Sequence, residues 1–108
     1  MTLKQVAEML DAIPGFKGKV AYRFFPEQNA PALPFICYYS NGLESFGADN
    51  ITYSAIEPIT IELYSARKDR ASESLIEAAL TVNDLYFDKS ETYIESEKAY
   101  MIIYNIEV

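Results

Sequence analysis

The chain has 108 residues, half of them apolar, and this size favours one domain over residues 1–108 with a single hydrophobic core. Its 16 acidic and nine basic residues give a formal charge of −7, which repels phosphate and argues against nucleic-acid binding. No apolar run approaches the roughly 20 residues that a membrane-spanning helix needs, so we expect a soluble protein made in the cytoplasm.

The first third of the chain predicts a helix, a strand and a connection. Thr2 and Gln5 have the spacing of a capping box, and apolar residues then recur at helical intervals, which predicts a helix from about Thr2 to Ala12. The β-branched and aromatic residues of Lys19–Phe25 predict a first strand. Three prolines in the segment 26–34 predict an exposed connection after it.

The middle of the chain contains two strand patterns with a candidate loop between them. PFICYYS, residues 34–40, reads as a strand. Residues 41–50, NGLESFGADN, collect glycines, asparagines and carboxylates, which predicts the longest loop of the chain. Alternation from Ile59 to Tyr64 then predicts a strand with one buried face, and Pro58 predicts a bend or break near its start.

The last third predicts a helix and two strands. Asp69 is a candidate helix cap. The apolar stripe predicted to be buried on this helix comprises Ala71, Leu75, Ala78, Ala79 and Val82, widened by Ile76 and Leu80. Residues 85–90 predict a short strand, and residues 99–108 predict a long interior strand because both of its faces are apolar. This order predicts an α+β fold, with a mostly antiparallel sheet of four to six strands and two helices packed on one face.

The acidic stretch ETYIESEK, residues 91–98, admits two interpretations. Along a strand, Glu95 and Glu97 share a face, and two carboxylates at that spacing could bind a cation or share a proton. The favoured interpretation is a solvated start of the last strand, since charged edges keep sheets from associating with one another. An enzyme that uses Glu95 or Glu97 together with a tyrosine is the less favoured alternative.

The sequence offers little for catalysis or cofactor binding. It contains no histidine, which is the usual general base and the commonest metal ligand. Cys37 lies in the apolar run PFICYY, which favours a buried and inert thiol. No glycine-rich phosphate loop occurs. We therefore expect no catalytic residue, no cofactor and no metal.

Five short motifs carry a family resemblance. They are P-x-I-x-Y-Y at Pro34–Tyr39, F-x-A-D-N at Phe46–Asn50, I-E-L-Y at Ile61–Tyr64, the K-D that precedes the second helix, and E-T-Y-I-E-S-E-K at Glu91–Lys98. As a set they resemble the tail-completion or tail-terminator proteins, minor structural proteins that join head and tail in long-tailed phages and prophages of Gram-positive bacteria. The resemblance covers nearly the whole chain after the first helix.

The resemblance implies a structural protein and not an enzyme. It implies a small subunit that assembles as a ring, commonly sixfold, caps the finished tail tube and joins the tail to the head. The implied partners are further copies of the chain, the major tail tube protein and a head-completion or neck protein. Whether the protein is a monomer before assembly is left open. The implied location is the host bacterial cytoplasm during assembly and the head–tail junction of the virion afterwards. A neck connector of the same gene module remains an alternative, as does a small ligand-binding or regulatory domain.

Within a ring, the exposed segments 41–50 and 26–34 are candidate contacts with neighbouring subunits or with the tube. The candidate interface residues are Leu43, Phe46, Asp49, Asn50, Tyr53, Glu95 and Glu97. Phe46 would be an apolar anchor for a partner, or alternatively would pack onto its own core. The negative charge has a use in this scheme, because an acidic lumen would let DNA pass without phosphate contacts.

Overall fold

The computed structural model describes the backbone of residues 1–42, 44–48 and 51–108, and the side chains of these residues except 27, 44–48 and 51–55. The elements are α1 Leu3–Asp11, β1 Val20–Tyr22, a short 3-10 turn at Glu27–Asn29, β2 Phe35–Ser40, β3 Glu44–Ala48, β4 Ile51–Ile56, β5 Pro58–Ser65, α2 Arg70–Val82, β6 Asp88–Ile94 and β7 Ala99–Glu107. This arrangement confirms the predicted α+β fold class.

Five of the strands form one sheet in the order β1-β2-β5-β7-β6. β1 and β2 are parallel, and the other neighbouring pairs are antiparallel. Large apolar residues align across the strands, since Ile36 lies opposite Leu63 and Leu63 lies opposite Ile102. β7 lies between β5 and β6, which confirms the predicted interior position of the last strand.

The hydrophobic core lies between one face of this sheet and the two helices. Val6 and Leu10 of α1, together with Ile76 and Leu80 of α2, are fully buried against the sheet. The strand residues in the same cluster are Ile36, Ile59, Ile61, Leu63, Ile102, Tyr104 and Ile106. The prediction of two helices on one face of a mostly antiparallel sheet is therefore confirmed.

Both helices begin at the residues that the sequence predicts. The backbone N–H of Gln5 donates to the Thr2 hydroxyl at 3.2 Å, and the backbone N–H of Thr2 donates to the Gln5 side chain at 2.8 Å. This is the predicted capping box. At α2, the carboxylate of Asp69 accepts the backbone N–H of Ser72 at 3.0 Å. Each cap satisfies backbone donors that the helix itself leaves unpaired.

The predictions for two segments before β5 require correction. The first strand ends at Tyr22 and not at Phe25, because Arg23 adopts a left-handed backbone with φ 68° that stops the extended run. The predicted loop 41–50 contains β3, which pairs with β4 in an antiparallel hairpin. The β-branched and aromatic residues that favour this pairing lie mainly in β4, as Ile51, Thr52 and Tyr53, whereas β3 supplies only Phe46. The Asp-Asn pair falls between the two strands in the sequence, where a hairpin connection needs turn-forming residues.

The carboxyl-terminal hairpin also differs from the prediction. The strand expected at residues 85–90 begins at Asp88 and runs to Ile94, so the first half of ETYIESEK belongs to β6. Residues 95–98 then form the turn that leads into β7, and Lys98 has a φ of 50° there. The backbone N–H of Leu85 donates to the carbonyl of Leu80, which extends the end of α2 and keeps the following residues out of the strand.

The largest correction concerns the face that α2 buries. Its buried residues are Ser72, Glu73, Ile76 and Leu80. Four of the residues predicted to form the buried stripe are exposed, and we call them the outer stripe: Ala71, Leu75, Ala78 and Val82. The sequence does not distinguish the two faces of the helix, because both carry large apolar residues. Contacts with the sheet decide which face is covered.

Candidate assembly surfaces

The β3–β4 hairpin projects from the sheet as an arm. Among the described strands, β3 and β4 hydrogen-bond to each other and form a separate two-stranded sheet. They connect the end of β2 to the start of β5, where Ser40 lies opposite Ile59. The radius of gyration is 15.0 Å, compared with about 13 Å for a compact domain of this length, and the molecule measures 50 × 28 × 23 Å. We call the end of the sheet at Ser40 and Pro58, where the hairpin joins it, the base of the arm.

A ribbon of this kind has little stability of its own. A two-stranded hairpin in water is at best marginally stable, because it has no second layer to bury its side chains. The pairing of the arm also shifts register between Phe46 and Gly47, which marks a β-bulge, and bulges bend a ribbon and increase its twist. Both of its edges offer backbone groups for pairing with another chain. The arm thus has the properties of an element that is stabilised by a partner.

The predicted interface residues do not form one surface. Phe46 lies in β3 and Tyr53 lies in β4, while Leu43, Asp49 and Asn50 lie outside the described residues. Glu95 and Glu97 are exposed in the turn between β6 and β7. That turn is at the opposite end of the sheet from the arm, and the nine residues of β7 separate the two ends by about 30 Å. Two candidate contact regions therefore exist at the two ends of the molecule.

The position of Glu95 and Glu97 also bears on their chemistry. On a strand they would share one face, but in a turn the period-two rule no longer applies. Among the described residues, no group of three or more aspartates, glutamates or cysteines is placed to hold a metal ion. Among the described residues, neither of these two carboxylates accepts a hydrogen bond from a tyrosine hydroxyl. The glutamates that do so are Glu62 and Glu77.

A concavity of about 550 Å³ lies beside the base of the arm. Three carboxylates line it, from Asp84, Asp88 and Glu107, together with Pro58 and Tyr86. The Tyr86 side chain is 96% exposed, the highest value among the large apolar side chains at the described positions. Carboxylates beside an open aromatic ring suit a cationic group of a partner protein. Sequence analysis missed this region because it placed Tyr86 inside a strand.

An ordered ion-pair network lies where α2 crosses β6 and β7. The Glu73 carboxylate is within 2.8 Å of the ammonium groups of both Lys68 and Lys89. Lys89 also contacts Glu77 at 2.7 Å, and the Tyr104 hydroxyl donates to the same Glu77 carboxylate at 2.8 Å. Lys68 additionally pairs with Glu91 of β6. The network fixes α2 against the edge of the sheet.

The electrostatics of this network follow from burial and proximity. Burial by itself would raise the pKa of Glu73, but hydrogen bonds from Lys68 and Lys89 outweigh it and hold the pKa below 4.5. The pKa of each lysine is raised above 10.5, first by its hydrogen bond to Glu73. Burial, and then the hydrogen bond to Glu77, raises the pKa of Tyr104. Glu73, Lys68 and Lys89 thus stay charged and Tyr104 stays neutral near neutral pH, which indicates a structural network and not a proton-transfer site.

Cys37 lies on the sheet face that the helices do not cover, opposite Glu62 of β5. Burial, and then the nearby Glu62 carboxylate, raises the pKa of the Cys37 thiol to about 11. The Tyr64 hydroxyl donates to Glu62 at 2.9 Å, and burial followed by that carboxylate raises the tyrosine pKa. A thiol with this pKa is almost entirely protonated near pH 7 and is a poor nucleophile. The geometry agrees with the predicted inert cysteine.

No helix in the described part of the chain is long and apolar enough to cross a membrane. A scan against protein-family models finds no match to this chain, and a search of the curated proteins finds none either.

Proposed function

We propose that the chain is a structural subunit of phage or prophage tails, a tail terminator that assembles as an oligomeric ring, caps the tail tube and joins the tail to the head. The observation that carries the proposal is the projecting arm. Among the described strands, the arm is a self-paired hairpin that joins no strand of the five-stranded sheet. A ring subunit can use one to reach a neighbouring copy or the tube beneath it.

Two further considerations support an assembly role. A cyclic ring is built from heterologous contacts, in which two different surfaces of one subunit meet on adjacent copies. The molecule offers different surfaces at its two ends, with the arm and the acidic concavity at one end and the turn at residues 95–98 at the other. The motif F-x-A-D-N, which contributes to the family resemblance, begins in β3 and continues through the connection to β4.

In this proposal the protein acts first in the host bacterial cytoplasm and then at the head–tail junction of the virion. Its partners are further copies of itself, the major tail tube protein and a head-completion or neck protein. A neck connector of the same gene module would use the same kind of surfaces, so the experiment must separate the two roles. A ligand-binding domain is the remaining alternative, and thermal stabilisation by a metabolite would favour it.

The experiment is negative-stain electron microscopy of particles induced from a prophage that lacks this gene. A terminator stops the growth of the tube, so its loss should give filled heads beside unattached tails of irregular and excessive length. Expression of the gene in trans should restore complete virions with tails of uniform length. This complementation is the control for effects on neighbouring genes.

Other outcomes would change the assignment. Unattached tails of uniform length would point to a neck connector, because the tube would then be terminated correctly but not joined. Intact, infective virions in the absence of the gene would contradict both assembly roles. The metabolite screen would then become the next step.

A further inference from the structure

The outer stripe of α2 has the spacing of a helix-packing seam. Its residues Ala71, Leu75, Ala78 and Val82 follow one another at intervals of four, three and four, which is the spacing of core positions in helices that pack side by side. Leu75 is 39% exposed and Val82 is 81% exposed. Since the opposite side of α2 already packs on the sheet, this helix has two apolar faces and only one of them is covered.

The order of small and large residues in the stripe selects an antiparallel partner. If two copies of α2 run antiparallel with their two-fold axis between Leu75 and Ala78, then Leu75 faces the Ala78 of the other copy and Ala71 faces its Val82. Every layer then combines one small and one large side chain, which fills space evenly. In a parallel pair, alanine would face alanine and leucine would face leucine, which would leave gaps beside crowded layers.

The charges around the stripe favour the same arrangement. Arg70 precedes the stripe and Asp84 follows it, both are exposed, and neither forms an ion pair with another described residue. In the antiparallel register, Arg70 lies beside Asp84 of the second copy at both ends of the contact. On α2 itself, the residues that flank the stripe, Ser74, Ala79 and Thr81, carry no charge. On the side of α1, the carboxylate of Glu8 lines the neighbouring groove.

The first helix completes the receiving surface. A groove of about 930 Å³ runs between α1 and α2, with Met9 and Ala12 on one wall and Leu75, Ala78 and Val82 on the other. The Leu75 and Val82 side chains of a second copy would enter this groove. Methionine is flexible and adapts to an incoming side chain, which suits a wall that must close around a partner.

We propose that a second copy of this chain packs its α2 antiparallel onto the outer stripe and forms a two-fold dimer. The contact is isologous, so it differs from the heterologous contacts of the ring described above. It does not depend on a role in phage tails, because it follows from the stripe, the groove and the two unpaired charges. If the protein does not dimerise, the proposed function in phage tails is unaffected. If the proposed function is wrong, the dimer proposal is equally unaffected.

The dimer is tested by sedimentation equilibrium of the purified full-length protein. Val82→Glu and Leu75→Glu each place a charge in the seam and should weaken dimerisation at least about a hundredfold. If Leu75→Glu disturbs folding, Val82→Glu decides the test. The Val82 side chain is mostly exposed in the single chain, so a charge there should not affect folding. Phe24→Glu is the matched control, because Phe24 is 70% exposed and lies outside the stripe. It should leave the association constant unchanged.

Cysteine cross-linking tests the orientation. The Ala71→Cys, Val82→Cys double variant should form two disulfides per dimer under mild oxidation, whereas Val82→Cys alone should not cross-link. The buried Cys37 thiol should not compete in this reaction. Three results would overturn the proposal: a wild-type dissociation constant of about 1 mM or weaker, a dimer that Val82→Glu leaves intact, or efficient cross-linking of Val82→Cys alone.

Discussion

Glu73 is a carboxylate that is only 3% exposed, although it lies on the helix that borders the edge of the sheet. Its burial is tolerable because Lys68 and Lys89 both approach it to 2.8 Å. A buried charge of this kind would otherwise cost several kcal/mol. The two lysine side chains are each 36% exposed, so solvent screens part of the attraction. The ion pairs of Glu73 therefore make a modest net contribution to stability.

Replacement of Glu73 tests this at the residue scale. Glu73→Gln should lower the free energy of unfolding at pH 7 by about 1–2 kcal/mol, because it leaves two lysines without their shared counter-charge. Since the folded-state pKa of Glu73 lies below 4.5, its ionised form stabilises the fold above about that pH, and the contribution is lost as the pH falls through the lowered pKa. The variant and the wild type should therefore converge in strong acid. Urea denaturation from pH 7 down to pH 3 measures the difference.

The control for this prediction is Glu95→Gln, which removes a carboxylate that is exposed in the β6–β7 turn. It should leave the free energy of unfolding within about 0.5 kcal/mol of wild type. A stability difference between Glu73→Gln and wild type that stays constant down to pH 3 would show that the ion pairs are not its cause.

At the scale of elements, the predictions from sequence succeeded where one periodic pattern had one interpretation. Thr2 and Asp69 mark the starts of the two helices, because their side chains cap the first turn. The alternation around Ile61 and the apolar run at Ile102 mark interior strands, because these patterns bury apolar surface. The prediction for α2 was right for Ile76 and Leu80, which are fully buried, and wrong for the outer stripe, because both faces of the helix carry large apolar residues and only the tertiary contacts choose between them. The prediction also failed for residues 41–50, where turn-forming residues occur within a hairpin.

The candidate site was predicted only in part for the same reason. Sequence analysis predicted an exposed loop around Phe46 as a candidate for contacts, but it could not show that the segment is a paired ribbon. It also named Glu95 and Glu97 as candidate interface residues, and the antiparallel order of β6 and β7 puts their turn at the opposite end of the sheet from the arm. Such long-range placement depends on strand order, which local periodicity does not contain.

The arm gives a prediction at the scale of elements. Replacement of residues 43–55 by a short glycine-rich turn should leave a folded domain, because the register of β2 with β5 from Ser40 to Phe35 does not involve the arm. The temperature of half-unfolding should change by less than about 5 °C, corresponding to about 1 kcal/mol for a domain of this size. Circular dichroism during heating measures it. Loss of cooperative unfolding would mean that the arm belongs to the core and is not an assembly element.

At the scale of the whole molecule, the described residues form one core and leave several surfaces exposed. The two helices and the five-stranded sheet supply one core, the hairpin forms a separate two-stranded sheet, and the molecule is 50 Å long. The acidic concavity lies beside the base of the arm, and the outer stripe lies on the layer of helices. These surfaces lie at different places on the molecule, although Asp84 belongs both to the concavity and to the end of the outer stripe.

The most direct test of this account combines the arm with the phage. A prophage that lacks the gene is complemented either with the wild-type chain or with the variant in which a short turn replaces residues 43–55, and infective particles and tail lengths are measured. We expect the wild-type chain to restore infective virions, and the folded variant to leave heads and overlong tails unjoined. Full complementation by the variant would contradict the claim that the arm carries the assembly function.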